Sequence, residues 1–265
     1  MERILTVLFR IKRVDLTLIR LSLLALLLAS QFFSFSQSYN SGIVKYKVKN
    51  TKNRLTDNEL RQNPRLPMIL EQLTFSLNFI DSNATFNLDE SRTIPPEDVK
   101  SAEIFFIGVS TNRHFWQNPD AAYRVMPALP PFHKDYLLVD SFKSGRHTGW
   151  KITNESKEIA GYKCFKATRD NLSQNGSGGL RRIPVIAWFC PELPFPFGPL
   201  KYGGLPGLIL ELQTNTTIFG AKSISLGENI AILPMPEFEL ISEEQFYRDI
   251  HKKIMERRGK IMPPF

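Results

Sequence analysis

The sequence predicts a mainly β protein, a curved antiparallel sheet or half-barrel followed by a C-terminal amphipathic helix. Three observations carry that expectation. Short alternating or β-branched runs recur along the chain, Gly, Pro, Asn and Asp clusters separate them, and a clear helical period appears only after residue 241. The spacing of the runs is irregular, which argues against a propeller or solenoid.

The first forty residues differ in kind from the rest. MERILTVLFRIKRVDLTLIR carries Arg3, Arg10, Lys12, Arg13 and Arg20 against Glu2 and Asp15, and LSLLALLLASQFF follows it. A basic segment, a short apolar core from Leu21 to Ala29 and then small residues form the pattern of a secretory signal. Ser34 and Ser36 supply the small residues a signal peptidase inspects, so residues 1–36 read as a signal peptide with cleavage before Gln37. The alternative is a retained anchor, although the run falls short of the ~20 apolar residues a span needs. The mature chain then divides into a β domain over 37–241 and a basic helix and tail over 242–265. Export places it in the periplasm or at the outer membrane. The leader takes +3 of the formal charge of +8 with it. What remains does not require nucleic acid, and no nucleic-acid-binding motif is present.

In chain order, the expected strands are GIVKYKV (42–48), LTFSLNF (73–79), ATFNL (84–88), AEIFFIGV (102–109), DYLLVD (135–140) and GWKIT (149–153). Residues 54–72 leave room for a short helix before the second of these. GYKCFKATRD and IPVIAWFC flank NLSQNGSGGLRR, so they read as a hairpin whose reversal centres on Ser177. That centre sets Lys166 opposite Trp188, Thr168 opposite Ile186 and Cys164 opposite Cys190. An exported protein matures where disulfides persist, so Cys164 and Cys190 are a candidate disulfide. Two free buried thiols are the alternative.

CPELPFPFGPL follows, with Pro191, Pro194, Pro196 and Pro199 stiffening it into a non-helical strap that holds Phe195 and Phe197. GGLPGLIL then supplies a turn. Gly203 and Gly204 permit close backbone approach, and Leu205-Pro206-Gly207-Leu208 fits a type II turn with Gly207 at positive φ. LILEL (208–212) and FGAKSISL (219–226) close the β domain. In the former, Leu208, Leu210 and Leu212 should face one way, Ile209 and Glu211 the other. The final helix opens on SEEQ, a capping box from Ser242 to Gln245, with Ile241 and Phe246 placed as its hydrophobic staple. Phe246, Ile250 and Ile254 form the apolar stripe, and Lys252, Lys253, Arg257 and Arg258 suit the helix C-terminus.

Taken together, GWKITNESKEIAGYKCFKAT, AWFCPELPFPFGP and GGLPGLILEL resemble the GLPGLI family of exported envelope proteins, specifically over residues 149–212. The resemblance implies an all-β envelope protein without assigned catalytic residues, associated with outer-membrane transport systems. It also implies a curved half-barrel like that of lipoprotein carriers, by fold analogy alone. The structural motif comprises Gly203, Gly204, Leu205, Pro206, Gly207, Leu208 and Ile209.

No nucleophile elbow, zinc helix, phosphate loop or dinucleotide fingerprint occurs in the chain, and no cofactor or metal is expected. The expected function is therefore non-catalytic: binding an apolar ligand such as a lipid or peptide, or docking on an outer-membrane receptor or transporter. Twenty Phe and three Trp, Trp116, Trp150 and Trp188, are available to line a concave wall. Trp150, Trp188, Phe195 and Phe197 are the candidate binding residues, lining a groove above ~300 Å³. The alternative is a hydrolase in which a carboxylate and a histidine, such as Glu211 and His147, meet in a polar cleft.

Overall fold

The alternating runs form twelve strands of one sheet among the residues described by the computed structural model, which are 39–50, 64, 66–89, 95, 98, 114–128, 133–142, 149–174, 180–214 and 217–257. The leader, the strand expected at 102–109 and His147 lie outside the described residues, as does the side chain of Ile254. In chain order the strands are β1 (Ser41–Asn50), β2 (Thr74–Ile80), β3 (Asn83–Leu88), β4 (His114–Gln117), β5 (Ala121–Met126) and β6 (Tyr136–Ser141). Then come β7 (Lys151–Ile159), β8 (Tyr162–Gln174), β9 (Leu180–Cys190), β10 (Leu208–Gln213), β11 (Thr217–Leu226) and β12 (Glu239–Ser242). A short helix α1 (Leu66–Gln72) precedes β2, and α2 (Glu243–Arg257) follows β12.

The spatial order is β12-β6-β5-β4-β3-β2-β1-β11-β10-β9-β8-β7. Two antiparallel meanders, β1 to β6 and β7 to β11, are therefore joined by pairing of the first strand with the eleventh. The sheet is mixed, not purely antiparallel, because β12 runs parallel to β6. After β11, residues 227–238 cross the sheet and enter β12 from the same end at which β6 begins. The sequence reading missed β4, β5 and β12.

The β8–β9 register is the one the hairpin centre predicts, with Lys166 opposite Trp188 and Thr168 opposite Ile186. Cys164 and Cys190 are free thiols, both buried, so the expected disulfide is absent from the structure. Cys164 Sγ donates to Tyr162 O at 3.5 Å, and the neighbouring Cys190 thiol together with burial pushes the Cys164 thiol up. The β7–β8 turn places Ala160 and Gly161 at φ of 51° and 84°, the paired positive values of a type I′ hairpin.

Tyr46, Phe75, Phe86 and Phe219 pack at the centre of the core. Phe75 and Phe86 stack at 5.5 Å, and Phe219 meets both edge-on at 5.3 and 5.8 Å. Each fully buried side chain of this size contributes ~1.5–3 kcal/mol from area alone. A bulge in β10 corrects the expected alternation. Ile209 lies opposite Phe189 and Glu211 opposite Trp188, leaving Leu210 as the extra residue. Leu208, Ile209, Leu210 and Leu212 are consequently all buried.

The concave face is filled by the chain itself. Residues 191–207 form a strap across it, secured by three backbone bonds: Gly204 N–H to Pro196 O, Leu208 N–H to Leu193 O and Ile209 N–H to Phe197 O, each 2.9 Å. Gln117 reaches from β4 into the strap, donating to the carbonyls of Gly198 and Leu200 at 2.7 and 2.6 Å and accepting from Gly198 N–H at 3.2 Å. The buried Tyr46 hydroxyl donates to Ile209 O at 2.6 Å. The turn at Pro206 differs from the expected type II. Gly207 N–H bonds Leu205 O at 2.8 Å and Gly207 has φ of 151°, a γ-turn centred on the proline. Leu208 N–H is thereby left for Leu193 instead of Leu205.

Helix α2 is capped as expected, with Gln245 N–H donating to Ser242 Oγ at 3.1 Å. The Gln245 side chain bonds Asp249 at 2.8 Å, turning along the helix instead of back to close the box. Phe246 packs with Met126 and Leu138, and Ile241 and Ile250 flank them, seating the helix on β5 and β6.

A Cβ at Gly207 would lie 2.2 Å from Cys190 O, whereas one at Gly220 would meet nothing within 4 Å. Gly207→Ala is expected to cost ~2–3 kcal/mol through overpacking against backbone, and Gly220→Ala no more than ~0.5 kcal/mol. Urea denaturation midpoints of the two variants check the contrast.

Candidate functional site

Two clusters, one of charged groups and one aromatic, stand out from the filled core. The first joins the ends of the sheet. Arg124 on β5 and Asp140 on β6 belong to one end of the strand order, and Arg169 on β8 to the other. Between them the strap brings Lys201 and Tyr202. Glu243, the first residue of α2, receives Arg124 at 2.8 Å and also Lys201, which lies 3.4 Å from Asp140. Tyr247 adds its hydroxyl to Arg124 at 3.2 Å. The Arg169 guanidinium lies between the rings of Trp150 and Tyr202, at 4.8 and 4.6 Å. Burial lowers the Arg169 pKa, offset in part by Tyr202, Asp140 and Glu243. Burial also pulls on Lys201, but the carboxylates of Glu243 and Asp140 outweigh it and hold the ammonium above its usual range. Arg124 and Lys201 have carboxylates within reach and Arg169 has two aromatic faces, which makes this cluster a clamp holding the curled sheet and α2 together.

The second cluster encloses a cavity of about 270 Å³. Trp116 and Tyr123, paired across β4 and β5, form its aromatic wall. Ile80 and Ala84 come from the β2–β3 end, and Ile232, Leu233, Pro234 and Met235 from the crossover roof it. Trp116 Nε1–H donates to Leu233 O at 2.9 Å, fixing the roof to the wall. Asn118 orders the adjoining turn by accepting from Asp120 and Ala121 N–H at 2.9 Å each, and donates to the Tyr123 hydroxyl at 3.2 Å. The lining holds amides and hydrocarbon but no carboxylate, amine, imidazole or thiol. Leu233 and Met235 of its roof are 45% and 43% exposed, and Phe238 and Leu240 further along the same segment are 39% and 60% exposed.

The candidate binding residues named from sequence do not come together around this cavity. Phe197 is fully buried and Phe195 packs on Phe79 at 4.3 Å, both filling the concave face where a groove was expected. Trp150 donates to Gly203 O at 3.0 Å and so supports the Gly-Pro motif. Phe142 closes over that motif, since a Cβ at Gly203 would lie 2.7 Å from its ring and one at Gly204 2.8 Å from its Cβ. Trp188 lies on the opposite face, with Lys157 over its ring at 4.4 Å. Glu211 bonds that same lysine at 2.8 Å, the polar half of an alternation, as the outward reading expected. His133 is exposed, and among the described residues no group of three His, Cys, Asp or Glu could hold a metal ion. Sequence reasoning missed the cavity. Its signals were HFWQNPD, a paired aromatic before a turn, and ILPMPEF, a second proline-stiffened segment.

Residues 179–211 match a family model described as a protein of unknown function (Porph_ging), which spans β9, the strap and the start of β10. No curated protein matches the sequence. Among solved structures, PNGF-II is similar to this chain at a TM-score of 0.46 and 13% identity, over 80% of this chain and 33% of that one. The chain thus spans about a third of the length of that structure.

Removing the clamp's acid tests its role. Glu243→Gln strands Arg124 and Lys201 and is expected to cost ~3–5 kcal/mol, read as a shift in urea midpoint. The pH dependence has a definite sign. Because Lys201 is raised in the folded state, its contribution is complete below the ordinary lysine range and lost as pH climbs through the raised value. Between about pH 9 and 12 the wild type should therefore lose more stability than Lys201→Met.

Proposed function

We propose that this chain is an exported cell-envelope protein of the GLPGLI type, non-catalytic, that binds an apolar ligand or docks on an outer-membrane partner through the Trp116 cavity. One observation carries the reading: while the strap fills the concave face, the described residues also form an aromatic cavity walled by Trp116 and Tyr123, with the exposed Leu233 and Met235 in its roof. Ligand sites are concave, mostly apolar and fixed by a few polar groups, and Asn83, Asn118 and the Tyr123 hydroxyl fill that last part here. The basic leader and apolar core of residues 1–36 support export, and the family match over 179–211 agrees with an uncharacterised envelope type. Among the described residues nothing favours the hydrolase alternative, since Glu211 is held by Lys157 and His147 lies outside them.

The test uses the neutral apolar fluorophore N-phenyl-1-naphthylamine on the purified chain. Saturable binding is expected, weakened at least ~10-fold by Trp116→Ala because a buried aromatic anchor dominates such sites. Binding that is absent, or indifferent to Trp116→Ala, would contradict the reading. Fractionation of the native cell, with the chain recovered from the envelope and starting at Gln37, checks its location.

A further inference from the structure

We infer that the cavity and the exposed row beside it form a seat for an extended segment of another polypeptide, apolar in its centre and carrying Lys or Arg on its flanks. This rests on the reading above and names the partner's chemistry. Size is the first argument. At about 270 Å³ the cavity lies just under the ~300–1,000 Å³ typical of sites for whole small ligands. It accommodates one bulky side chain laid against Trp116 and Tyr123, as an anchor residue of a peptide would be.

Periodicity is the second. Leu233 and Met235 are two residues apart, and so are Phe238 and Leu240. Phe238 and Leu240, where the segment becomes β12, point the same way at the ~6.6 Å spacing of extended chain and match alternate side chains of a second extended chain. A turn at Glu237 (Phe238 N–H to Pro236 O, 3.2 Å) sets them off from Leu233 and Met235 at the cavity. The row runs into β12, which ends the sheet and among the described residues pairs with β6 alone. Its other edge presents backbone donors and acceptors to an incoming strand.

Charge is the third argument, and it selects among occupants. Residues 228–244 hold five Glu and no Asp, Lys or Arg, in a chain whose net charge is +8. Glu243 is buried by Arg124 and Lys201, Glu239 faces Lys134, and Glu244 pairs with Arg248. Glu228 and Glu237 stand exposed beside the apolar row. An acidic margin around an apolar strip repels an anionic lipid surface and steers in a segment with basic flanks.

The experiment uses a fluorescein-labelled ten-residue peptide alternating Lys with Leu and Phe, a counterpart with Glu replacing Lys, and phosphatidylglycerol vesicles. Anisotropy should show the basic peptide binding at least ~10-fold tighter than the acidic one, more weakly as salt rises. Trp116→Ala, and separately Leu240→Ser at an exposed position that folding does not depend on, should each weaken binding at least ~10-fold. Equal binding of both peptides, indifference to either substitution, or binding to vesicles in preference to the basic peptide overturns the inference. If the naphthylamine probe binds while the basic peptide does not, the peptide seat falls and the broader reading stands. If neither binds, both fall.

Discussion

A polar backbone laid across an apolar concavity must find partners for its N–H and C=O groups, and that demand organises this fold. Residues 191–207 cross the inner face of the sheet where a loop would otherwise carry unpaired groups into hydrocarbon. Two backbone bonds knit the strap to the strand that follows it, a third ties Gly204 to Pro196 within it, and Gln117 and Tyr46 supply side-chain partners from β4 and β1. The glycines serve the same end. Gly198, Gly203 and Gly207 sit where backbone or ring atoms approach within 2.7 Å of a would-be Cβ, so the strap can lie close enough to bond.

Once the strap is seated, the ends of the strand order come together. Lys201 and Tyr202 are carried to a point where β5, β6, β8 and α2 all contribute a charged group or ring. None of these groups alone would justify its burial. Together they leave each charge with an opposite partner or an aromatic face, and the first turn of α2 becomes part of the closure. The sheet is thereby curved and occupied at once. Away from the strap, the crossover to β12 leaves an aromatic cavity walled by Trp116 and Tyr123 and roofed by Leu233 and Met235.

Much of the fold was legible in the chain because strand alternation is a local property. The β8–β9 register followed from one turn centre, since NGSGG is the only place in that stretch where reversal is easy. The α2 start followed from Ser242 and the staple residues around it. Other features depend on distant contacts and carry no local sign. The bulge at Leu210 arises from fitting β10 between β9 and β11, so the plain alternation of LILEL misplaced Ile209. The turn at Pro206 is set by Leu193, whose carbonyl takes the Leu208 N–H that a type II turn would have used. The functional site was less legible still. Phe195, Phe197 and Trp150 drew notice as aromatics on a stiff loop, but rigidity serves packing as well as binding, and the strap's destination inside the sheet decides between them. The cavity needs HFWQ and ILPMP side by side, more than a hundred residues apart.

Native-state hydrogen exchange tests the central claim most directly. If the strap is the element on which closure depends, the amides of Gly204, Leu208 and Ile209 open in one cooperative unit with β5, β6 and β8. They then share the exchange free energy of those strands across a denaturant series. Exchange of the Gly204 amide at a free energy several kcal/mol below that of the β8 and β9 amides would show a surface loop resting on a sheet that holds its curvature without it.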